Sequence, residues 1–216
     1  GKVYINSMVQ INFKKNKYTV IRQAISKDLA VFIANYFKMQ KQVYDTCRER
    51  RYFSPFEDIL GYYEEPNGQI PNTYSQYANI AMETLLLKCQ PGMEKATGLK
   101  LYPAYTYARI YKKGDELKRH KDRFSCEIST TMNLAGDDWP IYLEPSGETG
   151  KKGVKVDLKQ GDMLVYSGCE LEHWREKFKG KECIQVFLHY NNRKTPGAKD
   201  NMFDKRPHLG LPSWFK

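Results

Sequence analysis

Hydrophobic positions change their period near the middle of the chain. In the first part, apolar side chains recur at intervals of three and four residues, as on one face of an α-helix. One such run includes Leu29 and Ile33, and Ser26 is placed to cap its N-terminus. A second run predicts a helix over residues 75–88. The pattern therefore predicts a mainly helical region over residues 1–100.

From about residue 102 the period becomes two, which is typical of strands with one buried face. Tyr105, Tyr107, Arg109 and Tyr111 alternate there with smaller or apolar residues. Glycine- and proline-containing turns separate several later runs of the same kind, and many short strands after a helical region predict a sandwich or barrel with helices packed outside it. The expected fold class is α+β with a mainly β core. The later runs cover residues 127–134, 140–143, 154–158, 163–167 and 183–190.

The length of 216 residues fits one domain, so we expect residues 1–216 to fold together. Within it, residues 1–100 would form the helical part, 101–190 the strand-rich core, and 191–216 a C-terminal tail. Residues 54–73 contain several prolines and glycines without a clear period. Long irregular segments of this kind often act as lids over a site.

Composition narrows the class of protein. The five cysteines are odd in number and form no C-x-x-C pair, which favours reduced thiols and a cytoplasmic location. No apolar run is long enough to span a membrane, so no membrane partner is expected. The net charge of +10 would suit nucleic acid, but the basic residues are spread along the chain, which favours a solvated surface.

A short motif carries the first chemical signal. His120 and Asp122 are two residues apart, so they would project from the same side of a strand, and His173 follows much later. Two imidazoles and one carboxylate are the protein ligands of a facial-triad Fe(II) site, which leaves the opposite face of the metal open. An H-x-D pair alone is a weak signal, because it is common by chance.

The surroundings of the motif strengthen it. Tyr111 and Gly114 precede the first ligand at a short interval, as expected for a strand that ends at a glycine before a loop. Gly161 and Asp162 form a turn into an apolar strand, and His173 follows that strand. All three candidate ligands therefore lie near the ends of predicted strands, where they could meet in one site.

With these motifs, the sequence resembles the Fe(II)/2-oxoglutarate-dependent oxygenase superfamily, in its prolyl-4-hydroxylase-like group, over residues 102–190. The resemblance implies a double-stranded β-helix (jelly roll) with Fe(II) bound by His120, Asp122 and His173. It also implies 2-oxoglutarate as cosubstrate and O₂ as oxidant, with ascorbate as a further candidate cofactor. The implied reaction is hydroxylation of an unactivated C–H bond.

The same resemblance implies a basic residue for the far carboxylate of 2-oxoglutarate. At the position where the family usually has this base, the chain has an acid and a cysteine. Lys181 is the nearest base and has the strand parity of Gln185, so it is our candidate, with Arg109 as its competitor. Arg109, Tyr111 and Gln185 are expected in the cosubstrate wall. Thr131 could add a hydroxyl contact, or it could be an ordinary strand residue.

Two further residues are candidates for substrate contact. Arg123 directly follows the metal-binding aspartate and would meet a substrate at the mouth of the site, although a plain surface role is the default for an arginine beside an exposed loop. Trp174 follows the distal histidine and would be either a substrate platform or core packing. His189 and His208 are interpreted as structural.

Several functions stay open at the level of sequence. A protein or peptide side chain, prolyl in particular, is the substrate that the resemblance suggests, and a small metabolite is an alternative. An AlkB-like nucleic-acid demethylase shares the motif spacing, but Arg109 stands where that group has asparagine and its R-x₅-R pattern is absent. Outside enzymes, a jelly-roll binding module is the alternative, and a cupin is disfavoured by the lack of H-x-H. Nothing in the sequence indicates the oligomeric state.

Overall fold

Three α-helices lie in the first half of the chain in the computed structural model, which describes residues 11–54 and 57–216. The predicted cap is present, because the Ser26 side chain accepts a hydrogen bond from the Leu29 N–H. The last helix begins after Asn79, later than predicted, because the residues before it form a strand. The helices are α1 (Phe13–Asn16), α2 (Lys27–Glu49) and α3 (Ile80–Thr97).

Strands make up most of the remaining regular structure. They are β1 (Tyr18–Ile21), β2 (Tyr62–Tyr63), β3 (Tyr74–Tyr77), β4 (Leu101–Lys112), β5 (Leu117–His120), β6 (Ile128–Gly136), β7 (Ile141–Leu143), β8 (Val154–Val156), β9 (Met163–Ser167), β10 (His173–Arg175) and β11 (Glu182–Asn192). Short 3₁₀ turns cover Phe124–Cys126 and Lys199–Lys205.

These strands form two antiparallel sheets among the described residues. The larger sheet has the order β1-β9-β6-β11-β4-β3-β2, and the smaller has the order β5-β10-β7-β8. From β4 onward the chain passes back and forth between the two sheets, which is the winding of a double-stranded β-helix. The predicted jelly roll with helices packed on its outside is therefore confirmed.

The two faces of β11 show how the layers are divided. Ile184, Val186 and Leu188 lie in the cluster that also buries Phe37 of α2 and Leu86 of α3, so this face packs against the helices. Side chains of a strand alternate between its two faces. The opposite face, which looks into the jelly roll, carries Cys183, Gln185, Phe187 and His189.

The first hundred residues are less purely helical than predicted. β1 pairs with β9, and β3 pairs with β4, so both extend the edges of the larger sheet. The short strands β5 and β10 were also not predicted, because each has only three or four residues and most of these are polar or charged. Both of them carry candidate metal ligands.

The C-terminal tail packs into the molecule at several points. Arg206 is buried and forms an ion pair with Glu83 of α3 at 3.0 Å, and Asn201 and Asp204 are buried as well. All five cysteines are unpaired, as predicted. Within the described part of the chain, no helix combines the length and apolar character that a bilayer crossing requires.

Candidate metal centre

Strand pairing brings the two predicted histidine ligands together. His120 ends β5 and His173 begins β10, and the two residues are direct partners in the antiparallel register of these strands. Their ring centroids lie 4.3 Å apart. The long interval between them in the sequence is therefore closed by one pair of neighbouring strands.

Asp122 completes the cluster from the loop after β5. Its Oδ1 atom lies 3.1 Å from Nε2 of His173 and 3.3 Å from Nε2 of His120. One candidate ligand atom from each of the three residues lies within 4.8 Å of the others. The exposed side-chain fraction falls from 26% at His120 to 2% at His173, so His120 faces the mouth and His173 the interior.

Backbone carbonyls fix how the two imidazoles are oriented. Nδ1 of His120 lies 2.7 Å from the Lys118 carbonyl, and Nδ1 of His173 lies 2.9 Å from the Leu171 carbonyl. A carbonyl oxygen only accepts, so each Nδ1 carries the proton and donates it. In the neutral rings both Nε2 lone pairs then face Asp122. This outer hydrogen bonding is typical of metal-bound histidines, and the donor set suits Fe(II).

The electrostatics of the cluster favour a positive charge at its centre. Burial would raise the pKa of Asp122, but when the rings are also protonated at Nε2, the charge of His173 and hydrogen bonds from both histidines hold it well below its usual range. Burial would lower the pKa of His120, but its contacts with Asp122 and the Lys118 carbonyl raise it. These directions describe a carboxylate that attracts a proton or a cation to the same point.

Gly168 leaves space for the Asp122 carboxylate because it has no side chain. A Cβ atom on this residue would lie 2.4 Å from Oδ2 of Asp122 and 2.4 Å from the carbonyl oxygen of Cys126. The Gly168 carbonyl also accepts a hydrogen bond from the Asp122 N–H at 2.8 Å. Backbone contact this close explains a glycine here although its φ is not in the left-handed region.

A cavity of about 320 Å³ opens beside the cluster. The predicted lid, residues 54–73, contributes Glu64 and Gln69 to its wall, and Pro55 and Phe56 of that segment lie outside the described residues. Nε2 of Gln69 lies 3.4 Å from Nε2 of His120. The remaining wall consists of Cys126 from a 3₁₀ turn and of inward-facing strand residues: Tyr105, Tyr107, Arg109, Leu117, Ile141, Tyr166, Phe187 and His189.

Arg109 lies in this wall, as expected, but all of its nitrogens are occupied. Its Nε donates to Glu64 at 2.6 Å, its Nη1 to the Tyr111 hydroxyl at 3.1 Å, and its Nη2 to Glu64 and Gln69. Tyr111 is fully buried. Arg109 therefore anchors the lid segment to the barrel and has little capacity left for a cosubstrate.

Lys181 does not reach the interior. Its side chain is exposed, and its backbone N–H donates to Asp137 at 2.7 Å. The parity argument correctly placed Cys183 and Gln185 on the inner face of β11. It did not extend to Lys181, because the strand begins at Glu182 and the preceding residue belongs to the turn.

Arg175 supplies the buried base that sequence reasoning missed. It is 1% exposed, and its Nη2 donates to Thr131 at 3.2 Å, while Nε and Nη1 have no hydrogen-bond partner. Thr131 in turn donates to Gln185 at 2.9 Å, and the guanidinium lies 5.4 Å from the Trp139 ring centre. Thr131 and Gln185, both predicted near the cosubstrate, thus lie beside a different base from the expected one. Arg175, Thr131 and Gln185 are far apart in the sequence, so their spacing along the chain could not show that they lie together.

The two substrate candidates lie outside the cavity wall. Trp174 occupies the opposite face of β10 from its neighbours and stacks on Tyr142 at 5.7 Å, and the Arg119 guanidinium lies 3.7 Å from its ring centre. Arg123 forms an ion pair with Asp204 of the tail at 2.9 Å. Trp174 is therefore packing on the outer surface of the small sheet, because strand parity turns it away from the ligand next to it.

The two remaining histidines differ in position. His208 is exposed in the tail, in agreement with a structural or surface role. His189, which the sequence analysis also treated as structural, lines the cavity and is only 6% exposed. Burial lowers the pKa of His189 to about 4. The cavity therefore contains a third imidazole, which is neutral near pH 7.

Solved structures of non-haem oxygenases share this architecture. The chain is similar to a prolyl-4-hydroxylase from Pseudomonas putida, with 15% identity and a TM-score of 0.55, over 84% of this chain and 95% of that one. It is similar to the non-haem alpha-ketoglutarate-dependent epimerase SnoN from nogalamycin biosynthesis, with 10% identity and a TM-score of 0.62, over 93% and 92% of the two chains. HygX from Streptomyces hygroscopicus, solved with nickel and 2-oxoglutarate bound, has 12% identity and a TM-score of 0.57, over 84% and 85%.

These likenesses show the fold at identities too low to carry substrate or residue roles across. No family model matches the sequence, and no curated protein matches it. The chain has the double-stranded β-helix fold of the Fe(II)/2-oxoglutarate oxygenases.

Proposed function

We propose that this protein is an Fe(II)- and 2-oxoglutarate-dependent dioxygenase that hydroxylates an unactivated C–H bond. One observation carries the proposal. His173 and Arg175 project from the same face of β10 into the jelly roll, and one joins the metal cluster while the other has two unpaired guanidinium nitrogens. A buried cation without a partner is costly, so an anion is expected to join it in the working protein.

The dimensions suit a five-carbon dicarboxylate. Residues two apart on a strand are separated by about 6.6 Å, so a ligand held at the metal with one end would reach Arg175 with the other. Tyr166 is close to both, because its ring lies 4.7 Å from that of His173 and the Arg175 charge acts on its hydroxyl. That hydroxyl has no hydrogen-bond partner among the described residues. Arg175 and Tyr166 together would hold the far carboxylate of 2-oxoglutarate by charge-assisted hydrogen bonds.

The protein residues then have defined roles in the proposed reaction. His120, Asp122 and His173 would hold Fe(II) by one face, and bound Fe(II) with 2-oxoglutarate supplies the activation of O₂ that yields succinate, CO₂ and a hydroxylated product. Thr131 and Gln185 would orient Arg175. Arg175 would take the role that the sequence suggested for Lys181, which is to bind the far carboxylate of 2-oxoglutarate. Ascorbate would serve to keep the iron reduced.

A polypeptide side chain is the substrate that we favour. A second cavity of about 1020 Å³ adjoins the first and shares Glu64 and Tyr107 with it. It is large enough for an extended segment, and aromatic side chains in its lining suit apolar contact. Three acids, Glu57, Asp58 and Glu65, line it against two bases, Arg48 and Arg51, and this acidic excess disfavours a polyphosphate such as nucleic acid. A small metabolite that fills only the first cavity is the alternative.

The setting of the enzyme follows from the same features. We propose that residues 1–216 act as one oxygenase domain, with the lid segment and tail closing the mouth of the jelly roll. Five unpaired thiols support a reducing compartment such as the cytoplasm. A binding module without catalysis is the remaining non-enzymatic alternative.

Succinate production tests the proposal. The protein is stripped of metal, supplied with Fe(II), ascorbate, 2-oxoglutarate and a peptide pool in air, and assayed for succinate. We expect succinate only when Fe(II) and 2-oxoglutarate are both present, loss of it in His173→Ala, and retention in His208→Ala, which removes an exposed histidine. Failure of the metal-loaded protein to bind 2-oxoglutarate, or equal activity in His173→Ala, would contradict the proposal.

A further inference from the structure

The third imidazole of the cavity has no part in the proposed metal site. His189 is on β11, two residues after Phe187, and both side chains face the cavity. It is not among the residues whose ligand atoms converge on the metal position. Its ring packs on Tyr105 with a centroid distance of 4.6 Å. A titratable ring held in this wall needs a separate explanation.

The hydrogen bonds of Ser129 indicate the tautomer of His189. Its Nδ1 lies 2.9 Å from Oγ of Ser129. The single hydroxyl proton of Ser129 goes to the Cys126 carbonyl at 2.7 Å, or to the Asp122 carboxylate at 3.4 Å, and both of these only accept. The Cys126 carbonyl is the shortest of the three contacts of Oγ, so we assign the Ser129 proton to it. Oγ of Ser129 then accepts from His189, and Nδ1 carries the proton.

The other ring nitrogen then offers a lone pair. In the neutral ring protonated at Nδ1, Nε2 is an acceptor. It has no hydrogen-bond partner among the described residues, while the side chain lines the cavity. An acceptor held between the rings of Tyr105 and Phe187 is costly to leave unpaired once water is displaced.

We propose that Nε2 of His189 accepts a hydrogen bond from an N–H or O–H group of the substrate, adjacent to the C–H bond presented to the metal. The inference rests on the proposed oxygenase function and narrows its substrate class. A carboxylate of the cosubstrate cannot take this position, because lone pairs would face each other. A backbone secondary amide meets the requirement. A prolyl ring has no N–H, so a prolyl substrate would have to donate from the following residue.

The tautomer is tested first. The protein is labelled with ¹⁵N-histidine and loaded with Zn(II) and 2-oxoglutarate, and binding of both is verified by titration before any probe is added. We expect the His189 signals, assigned by their loss in His189→Gln, to show a protonated Nδ1 and an unprotonated Nε2. A protonated Nε2 would overturn the inference. A protein that does not bind 2-oxoglutarate would instead contradict the proposed function.

A matched pair of small probes tests the acceptor itself. N-methylacetamide has one N–H donor, and N,N-dimethylacetamide has none. We expect the first to shift the Nε2 resonance several-fold more than the second at equal concentration. Equal shifts, or none from either probe, would overturn the inference.

Two variants separate the two ring nitrogens. The His189→Asn amide can replace Nδ1 in the contact with Ser129 but is too short to reach the Nε2 position, whereas His189→Gln can place an amide oxygen there. We expect ligand-observed NMR to show N-methylacetamide binding retained in His189→Gln and weakened several-fold in His189→Asn. Equal binding to the two variants would count against the role of Nε2.

Discussion

Two buried arginines face the interior of the same jelly roll, and they differ in what surrounds them. Arg109 is paired with Glu64 at 2.6 Å and has hydrogen bonds from each of its nitrogens. Arg175 is at least as buried, yet it forms no ion pair with any described residue, and two of its nitrogens have no partner. The two arginines have similar burial and the same charge. They differ in how many of their N–H donors have hydrogen-bond partners.

The comparison teaches that an unfilled donor, and not a buried charge, marks an anion site. A guanidinium that is already neutralised by a carboxylate stabilises the fold, and adding a second anion would leave one of them uncompensated. A guanidinium without a counter-ion is stabilised when an anion binds to it. Arg109 therefore belongs to the attachment of the lid segment, and Arg175 belongs to the proposed cosubstrate.

The largest expected effect comes from removing the metal while both arginines stay. Asp122→Ala should weaken 2-oxoglutarate binding by more than about 100-fold, since even outer partners of metal ligands are worth about 10–100-fold. Calorimetric titration with Mn(II) and then 2-oxoglutarate measures this. Undiminished binding would mean that Arg175 alone holds the ligand, and that the metal cluster is not part of the site.

Removing Arg109 should lower the free energy of unfolding. Arg109→Met leaves the Glu64 carboxylate buried without its partner, which costs about 3–5 kcal/mol. For a chain of this size that lowers the melting temperature by about 6–20 °C. The double variant Arg109→Met/Glu64→Gln should recover much of the loss, because no unpaired charge remains. A melting temperature unchanged in the single variant would show that the ion pair does not stabilise the fold.

A smaller effect is expected at Thr131, which supports Arg175. Thr131→Val removes the hydroxyl that accepts from Arg175 and should weaken 2-oxoglutarate binding about 5–10-fold, the equivalent of about 1 kcal/mol. Thr130→Val is the matched control, since the Thr130 hydroxyl accepts from the Leu188 N–H on the other face of the strand. Equal weakening in both variants, measured by the same titration, would remove Thr131 from the cosubstrate site.

The sequence was informative where the chemistry is local. The short spacing of His120 and Asp122 predicted that they act together, although Asp122 lies in the loop after β5 and not on a strand as expected. The turn at Gly161 predicted the strand that precedes His173. Long alternating runs such as β4 and β11 were also predicted, since each has enough residues to show its period.

The remaining features depend on contacts between distant segments. β10 has three residues, so nothing in the sequence shows that Arg175 faces inward while Trp174 faces outward. The partners of Arg175 come from β6 and β11, and their proximity is created by the winding of the jelly roll. Residues 74–77 became a strand because an edge of the sheet was available beside β4, which overrode the helical pattern.

Titration of the Mn(II)-loaded protein with 2-oxoglutarate, in the wild type and in two variants, tests the central claim most directly. We predict that Arg175→Met raises the dissociation constant about 30-fold or more, because truncating one side of a buried ion pair costs about 2–5 kcal/mol. Arg109→Met, measured below its melting temperature, should stay within a few-fold of the wild type. Unchanged binding in Arg175→Met, or a larger loss in Arg109→Met, would contradict the assignment of Arg175 to the cosubstrate.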